Sequence, residues 1–258
     1  MKIDVLDHGY VELIETWGSE KRIIEAARMS TGKGFLGWKD NLYCKVCEIS
    51  VDADTCGYPF CPECGCDFEK RKGDQNLLSF LFNNNHSTPF EMAGAIIEVK
   101  APIFVFREWH RHRTQSYNEM SARYIPIPDE HYIPSLDRLL QVNEQTSNKQ
   151  AQGLQTLTEQ SAVVFQRILA EQYEQANDEY QAALDNGVAK ELARLMMPVG
   201  RYSKMRASAN LRNWLQFLAL RQPSNAQWEI RQYANAVCTI MEAKFPRTVA
   251  LYKAREAK

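Results

Sequence analysis

Residues 111–124 read RHRTQSYNEMSARY: three arginines, one histidine, one glutamate, two serines and one asparagine in fourteen positions. Almost nothing in this run can build a hydrophobic core, because charged and strongly polar side chains are rarely buried unless paired. The rest of the chain must supply the core and present this segment either to solvent or to a polar ligand.

The rest has the material to do so. The chain is 258 residues long, with 45% hydrophobic and 24% charged residues and a formal net charge of -1. This is ordinary globular composition for one large domain or two small ones. A near-neutral balance does not favour long-range attraction to nucleic acid or an anionic membrane, so anion binding would have to come from local clusters. No apolar run approaches the roughly 20 residues of a membrane span. The N-terminal MKIDVLDHGYVELIETW alternates like a strand and lacks a signal-peptide core, so a cytoplasmic protein is expected.

The pattern along the chain predicts an α+β fold: a helix-rich domain with a small, mainly antiparallel sheet. Residues 2–17 suggest a strand or hairpin. SEKRIIEAARMS follows as a helix with Ser19 as N-cap and Ile23, Ile24 and Ala27 on one face. DQNLLSFLFNNNH is a second helix, GAIIEVKAP a strand ending at Pro102, and IFVFREWHRHR a helix that Pro102 opens. Residues 125–150 read as a loop carrying Pro126, Pro128 and Pro134. From about 155 to 197 the pattern is helical, carried by Val164, Phe165, Ile168, Leu169, Tyr173, Ala176 and Tyr180 and then by VAKELARLMM, which Pro198 stops. NLRNWLQFLALR is a further helix. Ser224 and Gln227 suggest a capping box for the last one, with Tyr233, Val237, Ile240 and Met241 inward and Pro246 beyond its end.

Arginine suits the polar stretch if its ligand is a phosphate or carboxylate, since the planar fork donates two parallel hydrogen bonds and stays charged. Arg107 and Arg111 are four apart and would share a helix face, Arg113 lies to one side, and Arg123 arrives from the following loop. Glu119 among these cations would stay ionised and could orient them or accept from a ribose hydroxyl. From composition alone, a solvated and salt-bridged surface is an equally good reading.

The order of residues is more specific. RHRTQSYNEMSARY matches the RHRxxSxNExSxRY signature of the flavin-dependent thymidylate synthases. Three further stretches resemble that family in sequence order: HSTPFE at 86–91, APIFVFREW at 101–109, and NLRNWLQFLALRQPSNAQWEIRQYA at 210–234. AARMS, ending at Ser30, resembles an N-terminal segment of the family. The similarity covers nearly all the chain outside residues 40–72.

The resemblance implies a homotetramer with active sites between subunits that converts dUMP to dTMP. Methylenetetrahydrofolate supplies the carbon, reduced FAD the hydride, and NADPH re-reduces the flavin. Carried over by motif position, FAD should meet Thr88, Arg111, His112, Arg113, Glu119, Asn210, Leu211, Arg212 and Gln216, with Ser30 and His86 bordering the flavin or folate. For dUMP the positions are Glu108, Trp109, His110 and Arg111, then Glu119, Met120, Ser121, Ala122 and Arg123, with Arg194 and Arg221. The chain departs from the family's commonest pattern at Glu108, where glutamine is frequent, at His110, where an aromatic is frequent, and at Gln216, where asparagine is frequent. A carboxylate at 108 would be repelled by a nucleotide phosphate, so it should pair with an arginine or face a ribose or base. Arg221 is the catalytic candidate: a guanidinium against the pyrimidine edge would stabilise the negative charge that hydride addition creates. Without the resemblance, the same residue reads as a cation favouring the C-terminal end of its helix. No protein nucleophile is implied, and Cys238, mid-helix among apolar residues, reads as a packed thiol.

Six of the seven cysteines fall between Cys44 and Cys66. In a cytoplasmic chain such clustering favours metal over disulfides. CKVC at 44–47 and CPECGC at 61–66, with thirteen residues between the two CxxC pairs, point to a zinc-ribbon-like insert spanning residues 40–72 of an otherwise single domain, 1–258. Cys44, Cys47, Cys61 and Cys64 are the best ligand set, and Cys56 and Cys66 could substitute. A redox pair or an iron–sulfur site would use the same residues. Two rival readings remain from other classes: a zinc-ribbon nucleic-acid-binding protein, which the lack of a long basic stripe disfavours, and an inactive flavin-binding relative.

Overall fold

The structure, a computed structural model, describes residues 1–141 and 157–257. In chain order it contains β1 (Lys2–Val5), β2 (Gly9–Trp17), α1 (Glu20–Arg28), β3 (Asn41–Tyr43), β4 (Ser50–Asp52), β5 (Glu69–Arg71), α2 (Gln75–Asn83), β6 (Gly94–Pro102) and α3 (Ile103–Trp109). There follow β7 (Ser116–Glu119), α4 (Leu136–Leu140), α5 (Glu159–Asp185), α6 (Lys190–Ala193), β8 (Tyr202–Asn210), α7 (Leu211–Arg221), α8 (Trp228–Lys244) and α9 (Pro246–Glu256). The expected helix-rich α+β class holds. A five-stranded sheet runs β1-β2-β6-β8-β7, and a separate three-stranded sheet runs β4-β3-β5. No described helix is long and apolar enough to cross a membrane.

The chain divides into two compact units. The first comprises Met1–Glu15, Ala95–Ala209 and Gln216–Ile240, the second Thr16–Gly94, Asn210–Leu215 and Met241–Lys258.

In the first unit, β1 and β2 pair antiparallel with Ile3 opposite Val11, and β7 pairs antiparallel with β8, Tyr117 opposite Ala207. The inward faces bring Ile97, Val99 and Ala101 from β6, and Met205 and Ala207 from β8, to near-zero exposure beside the buried Phe217, Ile230, Tyr233 and Val237 of α7 and α8. The sheet lies close enough to α8 that a β-carbon on Gly9 would stand 2.0 Å from the Tyr233 hydroxyl. Only glycine fits there, and the Tyr233 hydroxyl instead donates to the Lys100 carbonyl at 2.9 Å. The proline-marked segment after β7 is ordered by a fully buried arginine. Arg201 donates to the carbonyls of Pro128 (3.0 Å) and Ile127 (2.7 Å) and to Asn177 Oδ1 (3.0 Å).

In the second unit, Ser19 caps α1 as expected, its hydroxyl accepting from Arg22 N at 3.3 Å. Ile23 and Ile24 are fully buried, as are Leu78 of α2 and Val249 of α9. The cysteine-rich excursion leaves and rejoins this unit through paired backbone. Asp74 N donates to Gly37 O at 2.8 Å and Gln75 N to Trp38 O at 3.4 Å, while Gly73 N donates to Asp40 Oδ1 at 2.9 Å. A β-carbon on Gly73 would lie 2.4 Å from the Lys39 carbonyl, so the two ends of the excursion close over a glycine. The carboxylate of Asp74, fully buried, ties this root to α1. One oxygen accepts from Arg28 Nε at 2.9 Å and from Arg28 Nη2, and the other accepts from Leu36 N at 2.6 Å.

Several local expectations give way. The helix opened by Pro102 stops at Trp109 rather than running through Arg113, so Arg107 and Arg111 do not share a helix face. β8, missed in the sequence pattern, is a strand whose inward positions include the small residues Ser203, Ala207 and Ala209, which weaken its alternation. α5 buries Ala162 and Tyr180, but Val164, Phe165 and Ile168 are exposed, so most of the apolar stripe of its first half is left uncovered by the described residues. α8 begins at Trp228, which leaves Ser224 outside it and without a capping role, and Pro246 starts a further helix instead of merely ending one. α4 falls within the expected loop. The loop's remainder at 142–150 and the expected helix start at 155–156 lie outside the described residues.

Asp74→Ala would leave Arg28 facing a buried gap and Leu36 N without an acceptor. It is expected to destabilise the protein by about 3–5 kcal/mol in denaturant unfolding, with Asp74→Asn intermediate because it keeps an acceptor. Equal stability of Asp74→Ala and the wild type would remove this ion pair from the fold's support.

Candidate active site

The segment that cannot enter the core is held at the surface by a few buried anchors. Trp109, the last residue of α3, is fully buried and stacks on Phe217 of α7, ring centroids 4.5 Å apart. Its Nε1 donates to Gln115 Oε1 at 3.0 Å, and the Tyr117 hydroxyl sits 3.2 Å from the Trp109 carbonyl and 2.7 Å from that of His112. Residues 110–115 therefore form a turn pinned at both ends. The indole is turned into the core, so it cannot touch a nucleotide directly. Only the residue's backbone is left for that expected contact, and the same holds for the buried Ala122 and Leu211. Gln115 and Tyr117, which brace the turn, carry no sequence signal beyond their place in the motif.

Within this turn the arginines separate. Arg111 and Arg113 are exposed and have no carboxylate partner among the described residues, which suits them to an anionic ligand. His112 is buried between them, edge-on to Phe217 at 4.9 Å. Its expected direct contact with flavin is thus limited by its burial.

Arg221, the last residue of α7, donates from Nε to His112 Nε2 at 2.8 Å, from Nη1 to Glu108 Oε2 at 2.7 Å, and from Nη2 to the Glu108 carbonyl at 2.9 Å. The awkward carboxylate at 108 pairs with an arginine, one of the outcomes its position required. Among the described residues, three of the five guanidinium N–H groups are used, which leaves one on each terminal nitrogen for a ligand. Because His112 Nε2 accepts from a cation, its proton must sit on Nδ1. Burial, and then the Arg221 charge, push the imidazole pKa down to about 4, against a smaller opposing pull from Glu108. The helix-end reading of Arg221 is true of its position but leaves out this clamp.

The other expected nucleotide residues of this unit lie along β7 and the loop after it. His110 Nε2 is 3.2 Å from Met205 Sδ and 4.0 Å from Glu119 Oε2, so Glu119 neighbours a histidine rather than the arginines. Met120 N donates to Lys204 O at 2.8 Å, which extends the strand pairing by one residue. Ser121 Oγ accepts from Arg123 N at 3.3 Å. The Arg123 side chain pairs with Glu191 Oε2 at 3.4 Å, and Arg194 Nε donates to the Glu191 carbonyl at 3.2 Å. α6 thus brings Arg123 and Arg194 to one place, with Lys190 Nζ on the Tyr124 carbonyl at 3.0 Å. Gln216 is exposed on α7.

In the second unit, Asn210 Oδ1 accepts from Asn213 N at 2.9 Å at the start of α7. Arg212 pairs with Glu91 at 2.5 Å, so the glutamate ending HSTPFE positions an expected flavin residue. His86 packs edge-on to Phe80 at 5.5 Å, Thr88 opens a 3-10 turn, and Ser30 donates to Ala27 O at 3.3 Å.

The second unit also gathers the predicted metal ligands. The sulfurs of Cys44, Cys47, Cys61 and Cys64 all lie within 4.8 Å of one another. Cys44 and Cys64 are 3.4 Å apart and Cys61 and Cys47 3.9 Å. Four thiolates around zinc at about 2.3 Å should stand about 3.8 Å apart, so the set fits a tetrahedral ion. Cys47 N donates to Cys44 Sγ at 3.5 Å, the kind of contact that favours a thiolate. Cys56 and Cys66 turn away, their thiols directed at the Tyr58 and Cys64 carbonyls.

The buried, neutral His112 has a stability consequence. Its folded pKa is about 4 against about 6.5 unfolded. Between these values the unfolded chain binds more protons, so stability falls as pH drops from about 6.5 toward 4, by about 2–3 kcal/mol from this residue. The pH dependence of unfolding in His112→Asn should be flatter than wild type in that window, and parallel curves would contradict the assignment.

Comparison with known proteins places the chain. Residues 12–247 match the family described as thymidylate synthase complementing protein. A flavin-dependent thymidylate synthase of Thermus thermophilus is 33% identical over 253 residues, covering 98% of this chain and 78% of that protein. The Thermotoga neapolitana enzyme of the same name is 34% identical over 251 residues, 96% and 92% of the two chains. Among solved structures, a UMP/dUMP methylase of Streptomyces cacaoi bound with 5-Br UMP superposes with a TM-score of 0.74 at 29% identity, covering 98% and 96% of the chains. The same methylase with 5-Br dUMP gives 0.72 at 30% identity. By motif order, fold and sequence, the chain belongs to the thymidylate synthase complementing protein family, that of the flavin-dependent thymidylate synthases.

Proposed function

We propose that this protein is a flavin-dependent thymidylate synthase that methylates dUMP to dTMP, with methylenetetrahydrofolate as carbon donor and NADPH as the reductant of its FAD. The observation that carries the reading is the clamped Arg221, with an N–H on each terminal nitrogen left for a ligand, in a chain of this family. Two solved structures of one neighbouring methylase hold uracil nucleotides brominated at ring carbon 5, which supports a pyrimidine nucleotide as substrate.

When bound, the flavin supplies the hydride. The protein's part is to position and polarise. C6 of uracil is a poor hydride acceptor until the ring carbonyls are polarised, and the role proposed for Arg221 is to stabilise the charge that accumulates there. Its own charge is secure because His112 is neutral and accepts rather than competes. Arg123 and Arg194, gathered by α6, suit the nucleotide phosphate, and Trp109, His110, Arg111, Glu119, Met120, Ser121 and Ala122 complete the proposed dUMP set, with Glu108 reaching the nucleotide through its hold on Arg221. For FAD, Arg111 and Arg113, which have no carboxylate partner among the described residues, suit a pyrophosphate, with His112, Glu119 and Gln216 in the same unit. Ser30, His86, Thr88, Asn210, Leu211 and Arg212 are the proposed flavin or folate residues of the other unit. A homotetramer with active sites between subunits allows the two sets to come from different copies.

The four-cysteine cluster is proposed to bind structural zinc within an insert at 40–72 of a single catalytic domain. Four thiolates leave no open position for catalysis. A cytoplasmic location belongs to the same reading, since thiols stay reduced there. Membership of an enzyme family disfavours the nucleic-acid-binding alternative, and an assay separates an active enzyme from an inactive relative.

Tritium release from dUMP labelled at C5 tests the activity. Release should need FAD, NADPH and methylenetetrahydrofolate together, and release unaffected by omission of the flavin would reject the mechanism. Arg221→Ala should slow flavin oxidation at saturating dUMP by about 10²–10³-fold, whereas Arg123→Ala should mostly raise KM for dUMP. Metal analysis should find about one zinc per chain. Chelation should loosen residues 40–72 while leaving flavin binding largely intact, and a zinc-free protein with a full count of free thiols there would reject the metal site.

A further inference from the structure

The clamp on Arg221 contains one formal negative charge, and its position is unusual for a nucleotide site. Glu108 Oε2 lies 2.7 Å from Arg221 Nη1, and its other oxygen, Oε1, has no hydrogen-bond partner among the described residues. The carboxylate side chain is 43% exposed while the guanidinium it holds is only 16% exposed. Glu108 therefore stands on the open side of the pair, where an anionic ligand approaching Arg221 would meet it. The remaining clamp contacts, the Glu108 carbonyl and His112 Nε2, are neutral.

We propose that Glu108 is a positioning residue that aims Arg221 at the pyrimidine while its charge restrains both dUMP binding and the polarisation of the ring. The two effects have separate physical origins. Aiming depends on an acceptor at Oε2 and does not need a charge. Restraint depends on the charge and does not need the hydrogen bond. A carboxylate beside the guanidinium cancels much of its field at the ligand and repels the nucleotide phosphate, while solvent at the exposed side limits the size of the effect. Among the described residues, the titratable groups bonded to Arg221 are Glu108, from the end of α3, and His112, from the turn after it. His112 is neutral when it accepts the Nε hydrogen bond, which leaves Glu108 as the charge that sets the local balance. The proposal rests on the reading that Arg221 acts on the pyrimidine.

Glu108→Gln and Glu108→Ala separate the two effects, and both should fold because the side chain is partly exposed. The measurements are calorimetric dUMP binding to the flavin-loaded enzyme and single-turnover oxidation of reduced flavin at saturating dUMP and methylenetetrahydrofolate. Glu108→Gln keeps an amide oxygen for Nη1 and loses the charge. It should bind dUMP about three- to tenfold more tightly and oxidise flavin faster by about the same factor. Glu108→Ala loses the aim as well and should be slower than wild type by about tenfold or more at saturation, without weaker dUMP binding. Weaker dUMP binding by Glu108→Gln would mean that the carboxylate contacts the nucleotide itself, and would overturn the proposal. A Gln variant identical to wild type in both measurements would overturn it too. Arg221→Ala, run in parallel, locates the failure. If that variant is slow while Glu108→Gln shows no gain, only the role of Glu108 falls. If that variant turns over normally, the reading of Arg221 falls and this proposal with it.

Discussion

A guanidinium that keeps its charge inside a protein must be surrounded by acceptors, and the Arg221 clamp meets that demand with three elements at once. The C-terminal residue of α7 reaches the penultimate residue of α3 and the turn that follows it, so the helix ends and the turn carrying Arg111 and Arg113 are set relative to one another by one side chain. The stacking of Trp109 on Phe217 beneath it supplies the apolar support. Orientation then follows: two hydrogen bonds to Glu108 and one to His112 leave the guanidinium little freedom to turn, which is what preorganised charge stabilisation requires.

The remaining arginines of the motif regions fall into two groups. Arg212 and Arg123 are paired, with Glu91 and Glu191 respectively, while Arg111 and Arg113 project from a braced turn without a carboxylate partner among the described residues. Pairing holds a long side chain in place at modest gain when exposed. Leaving a cation unpaired on a rigid turn keeps its hydrogen-bonding capacity for a ligand. The turn can carry that charge because Gln115 accepts from the Trp109 indole and the Tyr117 hydroxyl holds the Trp109 and His112 carbonyls from below.

The cysteine-rich excursion follows a different logic. Its three short strands, paired through Asn41–Tyr43, bury little apolar surface, which is the usual condition under which a small module relies on metal for stability. Its attachment relies on Asp74 rather than on the cysteines: that buried carboxylate joins the root of the excursion to α1 through Arg28. The cysteines can therefore order the tip while the root stays part of the second unit.

The sequence by itself determined the family and the kinds of side chain its candidate site carries. The order RHRTQSYNEMSARY, HSTPFE and NLRNWLQFLALR identified the family, and two CxxC pairs marked four thiols that do converge, because side-chain chemistry and short-range spacing are properties of the chain itself. Most helices and the first strands were also legible from periodicity. β8 was not, since Ala207 and Ala209 fill its inward positions and hydrophobic alternation fades when the buried residues are small. The end of α3 at Trp109 was not legible either, because the indole's burial against Phe217, more than a hundred residues away, competes with continued helix. Nor could the exposed first half of α5 be read, since an apolar stripe reports only that it will be covered and not by what. The partners of Arg221 were decided only by tertiary structure. Glu108 was constrained to find a cation, but which one depended on where α7 ends, and the neutrality of His112 depended on its burial beside that same guanidinium.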